Sequence, residues 1–363
     1  MSDASKDQPN MTAGLDLGDR YSYLCLIDQH SGEVIEEGRL RTTPEAFRRR
    51  FASQEQPMRI AIEAGTHSPW VSRVLEEECG HEVLVANPRK TRLIYSNKRK
   101  TDEIDAENLA RLARLDPKLL YPLEHRGVNS QAHLAIIRSR QALVGCRTQL
   151  VNHVRGAVKS FGGRLPKGPA RSFHKRAAEH IPEALWPALE PILEQIGALT
   201  QRIRDYERQL EEISKVHYPE TELLRQVEGI GPLTALTFVL TLEDPSRFAK
   251  SRSVGAYLGL VPATDQSGDR DPQKRISKEG DEMMRRLLVG SAHYILGPLG
   301  SDSDLRRHGE KIASRGGKNS KKRAVVAVAR KLSVLLHRLW VTGEVYEPLR
   351  NTHRSGGQEE EVA

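Results

Sequence analysis

The spacing of apolar residues along this chain changes twice. From residue 12 to about 120, short runs alternating apolar and polar positions are interleaved with stretches whose apolar residues recur every three or four positions. These are the periods of strand and helix. TAGLDLG and YSYLCLID are β-rich, and SGE turns the chain into VIEEGRL, which predicts a three-stranded antiparallel meander. A helix near 44–53, the strand MRIAIEAG, a helix over about 67–79 and the strand HEVLVAN follow. Three hairpin-linked strands and then alternating helix and strand predict an α/β domain, a mixed sheet with helices on its faces.

From about 130 to 216 the strand signal vanishes. Residues 134–160 and 183–216 read as long charged helices separated by FGGRLPKGP. In the second, Leu189, Ile192, Ile196, Leu199, Ile203, Tyr206, Leu210 and Ile213 keep a three–four spacing. That pattern suits a helix packed on its own domain and a coiled-coil arm equally. Beyond Glu222 the chain is helical and punctuated by glycine, closing with a basic-then-apolar helix around 320–340. The expected organisation is a disordered leader (1–10), an α/β catalytic domain (11–125), a helical arm (126–220), a mostly helical C-terminal domain (221–348) and a disordered acidic tail (349–363).

Composition narrows the function classes. At about 150 residues per domain, 363 residues allow two or three. Lys plus Arg is 56 and Asp plus Glu 48, a net charge of +8 that permits an anionic partner without demanding one. The longest clean apolar stretch, 233–242, is far short of the roughly 18–20 residues of a membrane span, and the first ten residues are polar. Secretion and membrane insertion are therefore not expected. Cys25, Cys79 and Cys146 are far apart with no CxxC pair, so neither a disulfide framework nor a zinc finger is expected. The expected location is the cytoplasm, in association with the nucleoid.

Four carboxylates stand at suggestive positions. Asp16 lies inside the first strand, where burial is costly unless a cation or donor meets it. Glu63 ends the strand MRIAIEAG in the same way, and two parallel neighbouring strands would set the two acids side by side. In KRKTDEIDAENLARLARL, Thr101 is the expected N-cap of a helix, and Asp102 and Asp105 share one face of its first turn. Singly, each acid is also an ordinary turn or helix-start residue. Together they would suit two Mg²⁺ ions about 3.5–4 Å apart, one activating the attacking oxygen of a phosphodiester reaction and one stabilising the leaving oxygen.

This Asp-Glu-Asp-Asp pattern on a RuvC/RNase-H-like domain resembles the DEDD transposases of the IS-one-ten insertion-sequence family. The likeness runs through Gly14-Leu15-Asp16-Leu17-Gly18, Ile62-Glu63-Ala64 and Lys100-Thr101-Asp102-Glu103-Ile104-Asp105-Ala106. A second block, from Gly229-Ile230-Gly231-Pro232 through Ser253-Val254-Gly255-Ala256-Tyr257-Leu258-Gly259 to Gln266-Ser267-Gly268 and Arg275-Ile276-Ser277-Lys278-Glu279-Gly280-Asp281, resembles the C-terminal domain of that family. The family more often has a small residue, Gly and Asn where this chain has Glu279-Gly280-Asp281. The resemblance implies an enzyme that cleaves and rejoins DNA strands to move its element, with carboxylates holding Mg²⁺ and a serine attacking the phosphate to form a covalent protein–DNA intermediate. It further implies donor and target DNA and a structured non-coding bridge RNA as partners, with specificity carried by base pairing.

Read physically, Gly229 and Gly231 mark either a helix-hairpin-helix turn whose backbone N–H groups hold a phosphate or a plain αα-turn. Ser267, in a polar loop, is either a turn residue or the implied nucleophile; Arg270, Lys274, Arg275 and Lys278 around it could hold a scissile phosphate. No His lies in this loop, so a metal site is the expected activator. Ser277 falls where a helix N-cap is expected. Lys98, Arg99 and Lys100, and Lys321, Lys322 and Arg323, are candidate phosphate contacts or solvated faces. Aromatic residues are 5%, so base stacking is not expected to dominate. A dimer or tetramer joined through the 130–216 helices is expected. The alternatives are a RuvC-like Holliday-junction nuclease with no use for Ser267, a non-catalytic nucleic-acid scaffold, and an actin-like kinase, for which a second phosphate strand and an adenosine segment are lacking.

Overall fold

A computed structural model describes residues 10–54, 56–91, 101–265, 272 and 274–351. The chain forms two compact units, one ending at Arg126 and one beginning at Gly127.

The first unit contains β1 (Met11–Leu17), β2 (Tyr21–Asp28), β3 (Val34–Arg41), α1 (Pro44–Phe51), β4 (Arg59–Glu63), α2 (Ser68–Arg73, extended by a π-turn over Val74–Glu78), β5 (Glu82–Ala86), α3 (Pro88–Thr91) and α4 (Asp102–Leu115). The sheet order is β3-β2-β1-β4-β5, antiparallel across the β1–β2–β3 meander and parallel for β1, β4 and β5. β3, an edge strand of sequence VIEEGRLR, is almost wholly exposed, and its charges guard that edge.

Strand alternation divides the inner residues between two faces. Ala13, Leu15, Ile60 and Ile62 pack with Phe47, Phe51, Val71 and Leu75 from α1 and the α2 segment. On the other face, Cys25 and Ile27 pack with Ala106 and Ala110, and Ala61 with Leu109 and Ala113, all from α4. Thr101 caps α4 as the sequence predicts, its hydroxyl accepting from the Ile104 N–H. Close approach depends on Gly14 beneath α4, where a Cβ would overlap the Ala106 carbonyl oxygen and lie 2.5 Å from the Ala110 nitrogen. Cys25 is sealed under this helix. Burial, with Glu37 and Glu107 adding repulsion, pushes its thiol up to about 11, so it stays protonated and unreactive.

The second unit is helical: α5 (Val128–Ser160), α6 (Phe173–Ala178), α7 (Trp186–His217), α8 (Thr221–Arg225), α9 (Pro232–Leu242), α10 (Arg252–Tyr257), α11 (Glu282–Ile295), α12 (Asp304–Ala313) and α13 (Ser320–Thr342). α5 and α7 form an antiparallel hairpin. The end of α5 (Val151, Val154, Val158) packs on the start of α7 (Leu189, Leu193, Ile196), and Leu134 and Ile137 pack with Leu210. The apolar stripe of α7 is thus spent at least in part within its own chain. The sequence reading missed α6, which tucks Phe173 and Ala177 into the same cluster. α9 is buried from Thr234 to Leu242, which accounts for its unbroken apolar run. α13 buries Val328, Ala329, Leu332 and Leu336 in the main core. One expectation is corrected: the N-cap of α11 is Asp281, whose carboxylate accepts from the Met284 N–H, while Ser277 instead accepts from the Glu279 N–H. Asp281 starts the helix because its side chain reaches the third residue beyond, and Ser277 lies too far upstream. Among the described residues no helix is long and apolar enough to cross a membrane.

Candidate active site

β1 and β4 run parallel in the register Gly14↔Ala61 and Leu15↔Ile62. Asp16 and Glu63 follow the last of these pairs, at the carboxyl ends of adjacent strands, where α/β sheets bind ligands. Two-residue alternation puts Asp16 on the face of Gly14 and Glu63 on that of Ala61, which is the face α4 covers.

α4 runs antiparallel to β1. Near its C-terminus, Arg114 donates to the Gln29 and His30 carbonyls beyond β2, at the sheet end where β1 begins. Ala106 lies over Gly14, so the first turn, with Asp102 and Asp105, falls toward the end that carries Asp16 and Glu63. Asp16, Glu63 and Asp105 are half-buried and Asp102 is exposed. Three separate stretches of sequence therefore bring their acids to one end of one sheet face. The donors are all hard oxygens, which suits Mg²⁺. Among the described residues, no three His, Cys, Asp or Glu side chains close into a metal-binding cluster. The acids fit the ion in donor type, and the described side chains do not close around one.

His67 belongs to the same strand ends, in the turn after β4, and sequence reasoning missed it. Its Nδ1 accepts from the Trp70 indole N–H (3.1 Å), which leaves the proton on Nε2, 3.8 Å from the Asp19 carboxylate in the β1–β2 turn. The pairing of Asp19 and His67 is invisible in sequence because 48 positions separate them (67 − 19).

In the second unit, Gly229 has φ +87° in the turn between α8 and α9, against Tyr294 and Ser291 of α11, and Gly231 caps α9. Glu228 sits beside this turn and accepts from the Ser301 N–H (3.0 Å). That bond and the Ser301 hydroxyl hold its carboxyl below the usual range. Ser267, Arg270, Lys98, Arg99 and Lys100 lie outside the described residues. The residues before and after the segment that carries Ser267 are joined to each other. Pro262 bridges Ile276, the Ala263 N–H donates to the Arg275 carbonyl (2.9 Å) and the Ser277 N–H to the Val261 carbonyl (2.9 Å). Beneath it, Gly259 (φ +66°) and Gly280 (φ +72°) interlock with no room for a Cβ on either. Arg285 Nη1 closes the knot on the Leu258 (3.2 Å), Glu279 and Gly280 (3.0 Å) carbonyls.

A cleft of about 1320 Å³ opens beside this junction. Lys274, Arg275 and Lys278 line it together with Lys322 and Arg323 of α13, two groups that are some 45 residues apart in sequence (322 − 278 = 44). Lys321 is exposed and does not line it. Arg252, Arg330 and Lys331 also line the cleft and were missed. The signal was present: 322, 323, 330, 331 and 338 are all basic and recur every seven or eight positions, one helix face.

Residues 13–162 match the DEDD family of IS110 type described as "Transposase", and residues 221–298 match "Transposase IS116/IS110/IS902 family". The chain is 30% identical over 300 residues to the transposase for insertion sequence element IS1328 of Yersinia enterocolitica, covering 79% of this chain and 85% of that protein. It is 27% identical over 353 residues to the transposase for insertion sequence element IS1111A of Coxiella burnetii, covering 92% and 90% respectively. A probable family 20 transposase of Pseudomonas aeruginosa is 29% identical over 300 residues, 81% of this chain and 86% of that one.

Proposed function

Because the chain belongs to the IS116/IS110/IS902 family of transposases, which move insertion sequences, we propose that it cleaves and rejoins donor and target DNA with Asp16, Glu63, Asp102 and Asp105 as Mg²⁺ ligands and Ser267 as nucleophile. The observation that carries this reading is the delivery of four carboxylates to one end of one sheet face.

The first unit's contribution is placement. Asp16 and Glu63 are fixed by the sheet, and Asp102 and Asp105 by a capped helix docked through Gly14. Carboxylates brought toward one another repel, and a divalent cation among them relieves that repulsion. Two Mg²⁺ ions, when bound there, supply charge neutralisation and activation of oxygen at the phosphodiester. Ser267 Oγ attacks the scissile phosphorus: the phosphoserine ester forms, the P–O bond to one strand end breaks, and that end leaves as a hydroxyl. The hydroxyl proton of the serine is taken up by a general base and returned to the departing strand-end oxygen, which completes its hydroxyl. Attack by a strand-end hydroxyl on the ester reverses this and frees the serine.

Lys274, Arg275, Lys278, Lys322 and Arg323, with Lys98, Arg99, Lys100, Arg270 and Lys321, are read as phosphate contacts, and the Gly229–Gly231 turn as a backbone contact of helix-hairpin-helix type. A non-coding bridge RNA pairing with both DNAs, and a dimer or tetramer, complete the reading. The test is strand exchange by the full-length protein with element-end DNA, target DNA, the flanking structured RNA and Mg²⁺. The unaltered protein gives a covalent protein–DNA adduct, Ser267→Ala gives none, and Asp16→Asn gives neither adduct nor product. A Ser267→Ala protein that still cuts would overturn the serine and favour a RuvC-like nuclease.

A further inference from the structure

We infer that the cleft between α10, α12 and α13 is a binding site for a nucleic-acid phosphodiester backbone, with Arg252, Arg330 and Lys331 as its central contacts. The inference rests on the transposase reading only in taking the polyanion to be a nucleic acid.

The first observation is how charge is paired. Some arginines of this unit meet carboxylates, Arg225 on Glu222, Arg306 on Glu310 and Arg307 on Asp302, and others, Arg176 and Arg285 among them, donate to backbone carbonyls. Among the cations that line the cleft, Arg338 and Arg350 meet Glu344, and Lys274 meets Asp265. Six more are not so paired. Arg252, Lys278, Lys322, Arg323, Arg330 and Lys331 line the cleft and form no ion pair among the described residues. Like charges gathered on a concave wall repel, and a low-dielectric wall focuses their field. A polyanion is the ligand that relieves them all at once.

The second observation is independent of that tally. His308 of α12 also lines the cleft. Burial, then Lys331, Arg315 and Lys311, hold its imidazole below the ordinary value, so it feels the positive field of the wall.

The third is steric. Arg330 lies across α10 at Gly255, where a Cβ would come 3.1 Å from Arg330 Cγ. The bare glycine leaves room for this side chain, and a Cβ there would require it to shift by a few tenths of an ångström. The opposite side of α13 is core, through Val328, Ala329, Leu332 and Leu336, so the cationic face is held rigidly.

The experiment is equilibrium binding of the full-length protein to a short duplex DNA of arbitrary sequence and to a folded RNA, as a function of salt, with metal chelated. Each phosphate contact removed lowers the slope of log K against log salt by about 0.9 for duplex DNA and ~0.7 for single strands. The triple variant Arg252→Gln/Arg330→Gln/Lys331→Gln is expected to lose about two to three units of slope. Arg202→Gln/Lys215→Gln on α7 serves as the control and keeps the full slope. Arg330→Lys, which retains charge, keeps it as well and shows that the fold is intact. Loss on the DNA alone identifies DNA as the occupant, loss on the RNA alone identifies the guide, and loss on both identifies the shared backbone. An unchanged slope on both probes overturns the proposal. Since no metal is present, failure of the carboxylate chemistry leaves this result untouched, and the converse also holds.

Discussion

Gly14 and Ala106 touch backbone to backbone: β1 meets α4 so closely that a methyl group on Gly14 would overlap the Ala106 carbonyl oxygen. Ala106 follows Asp105 and Gly14 is two residues before Asp16, so this one contact sets how far the helix-borne acids stand from the strand-borne ones. The helix cooperates with small residues, Ala106, Ala110 and Ala113, all buried.

Gly14→Ala is therefore expected to force α4 away from the sheet. Overpacking of this kind costs about 1–3 kcal/mol. Activity should fall much further than stability, because a displacement of about 1 Å at a reacting centre can cost on the order of a hundredfold. Thermal unfolding and strand-exchange rates measured on one preparation test this. A fully active, fully stable Gly14→Ala protein contradicts the described contact.

Divalent metal should stabilise the protein through the same acids. At a Mg²⁺ concentration ten times its Kd, linkage predicts a gain of about 1.4 kcal/mol. Differential scanning calorimetry with Mg²⁺ and with chelator should show the shift in the unaltered protein. Asp16→Asn or Glu63→Gln should abolish it.

Arg285 is expected to matter through position. Its guanidinium joins the Leu258, Glu279 and Gly280 carbonyls, and hydrogen bonds from charged donors contribute about 1.5–3 kcal/mol. Arg285→Ala should lower stability by on the order of 2 kcal/mol. Arg285→Lys, a point charge without the planar fork, should recover only part of that. Denaturant unfolding of the two variants distinguishes this clamp from an ordinary surface arginine, whose loss would be close to neutral.

His81 gives a pH dependence with a defined sign. It is buried; its Nδ1 accepts from the Met58 N–H (3.2 Å), and its Nε2 donates to the Phe51 carbonyl (3.0 Å). Burial holds its pKa below the ordinary 6.5. The unfolded chain thus takes up a proton before the folded one does. Stability is full at neutral pH and falls as the pH drops below about 6.5, until the folded value is reached. Unfolding free energy followed from pH 7 downward should show this slope, and His81→Asn should flatten it.

Much of the fold was legible because local patterns and tertiary needs coincide. The meander, β4, β5 and the Thr101 cap follow from alternation and capping chemistry, which act over a few residues. α6 was missed because its six residues, FHKRAA, make less than two turns, too few to show a repeating pattern, and are held by packing of Phe173 and Ala177. Ser277 was mistaken for a helix cap because Ser and Asp are both good N-caps and spacing alone did not choose between Ser277 and Asp281.

The order of residues was enough to single out the acids at 16, 63, 102 and 105 as candidates, since a carboxylate in an apolar strand or a helix start stands out within its own neighbourhood. It was also enough to identify the α/β and helical halves, whose periods differ. Which sheet face those acids share depended on strand register and on a glycine beneath a helix. That the cations of 274–278 and of α13 line one cleft depended on how distant helices pack. Both are contacts between segments far apart in the chain, and local periodicity carries no information about them.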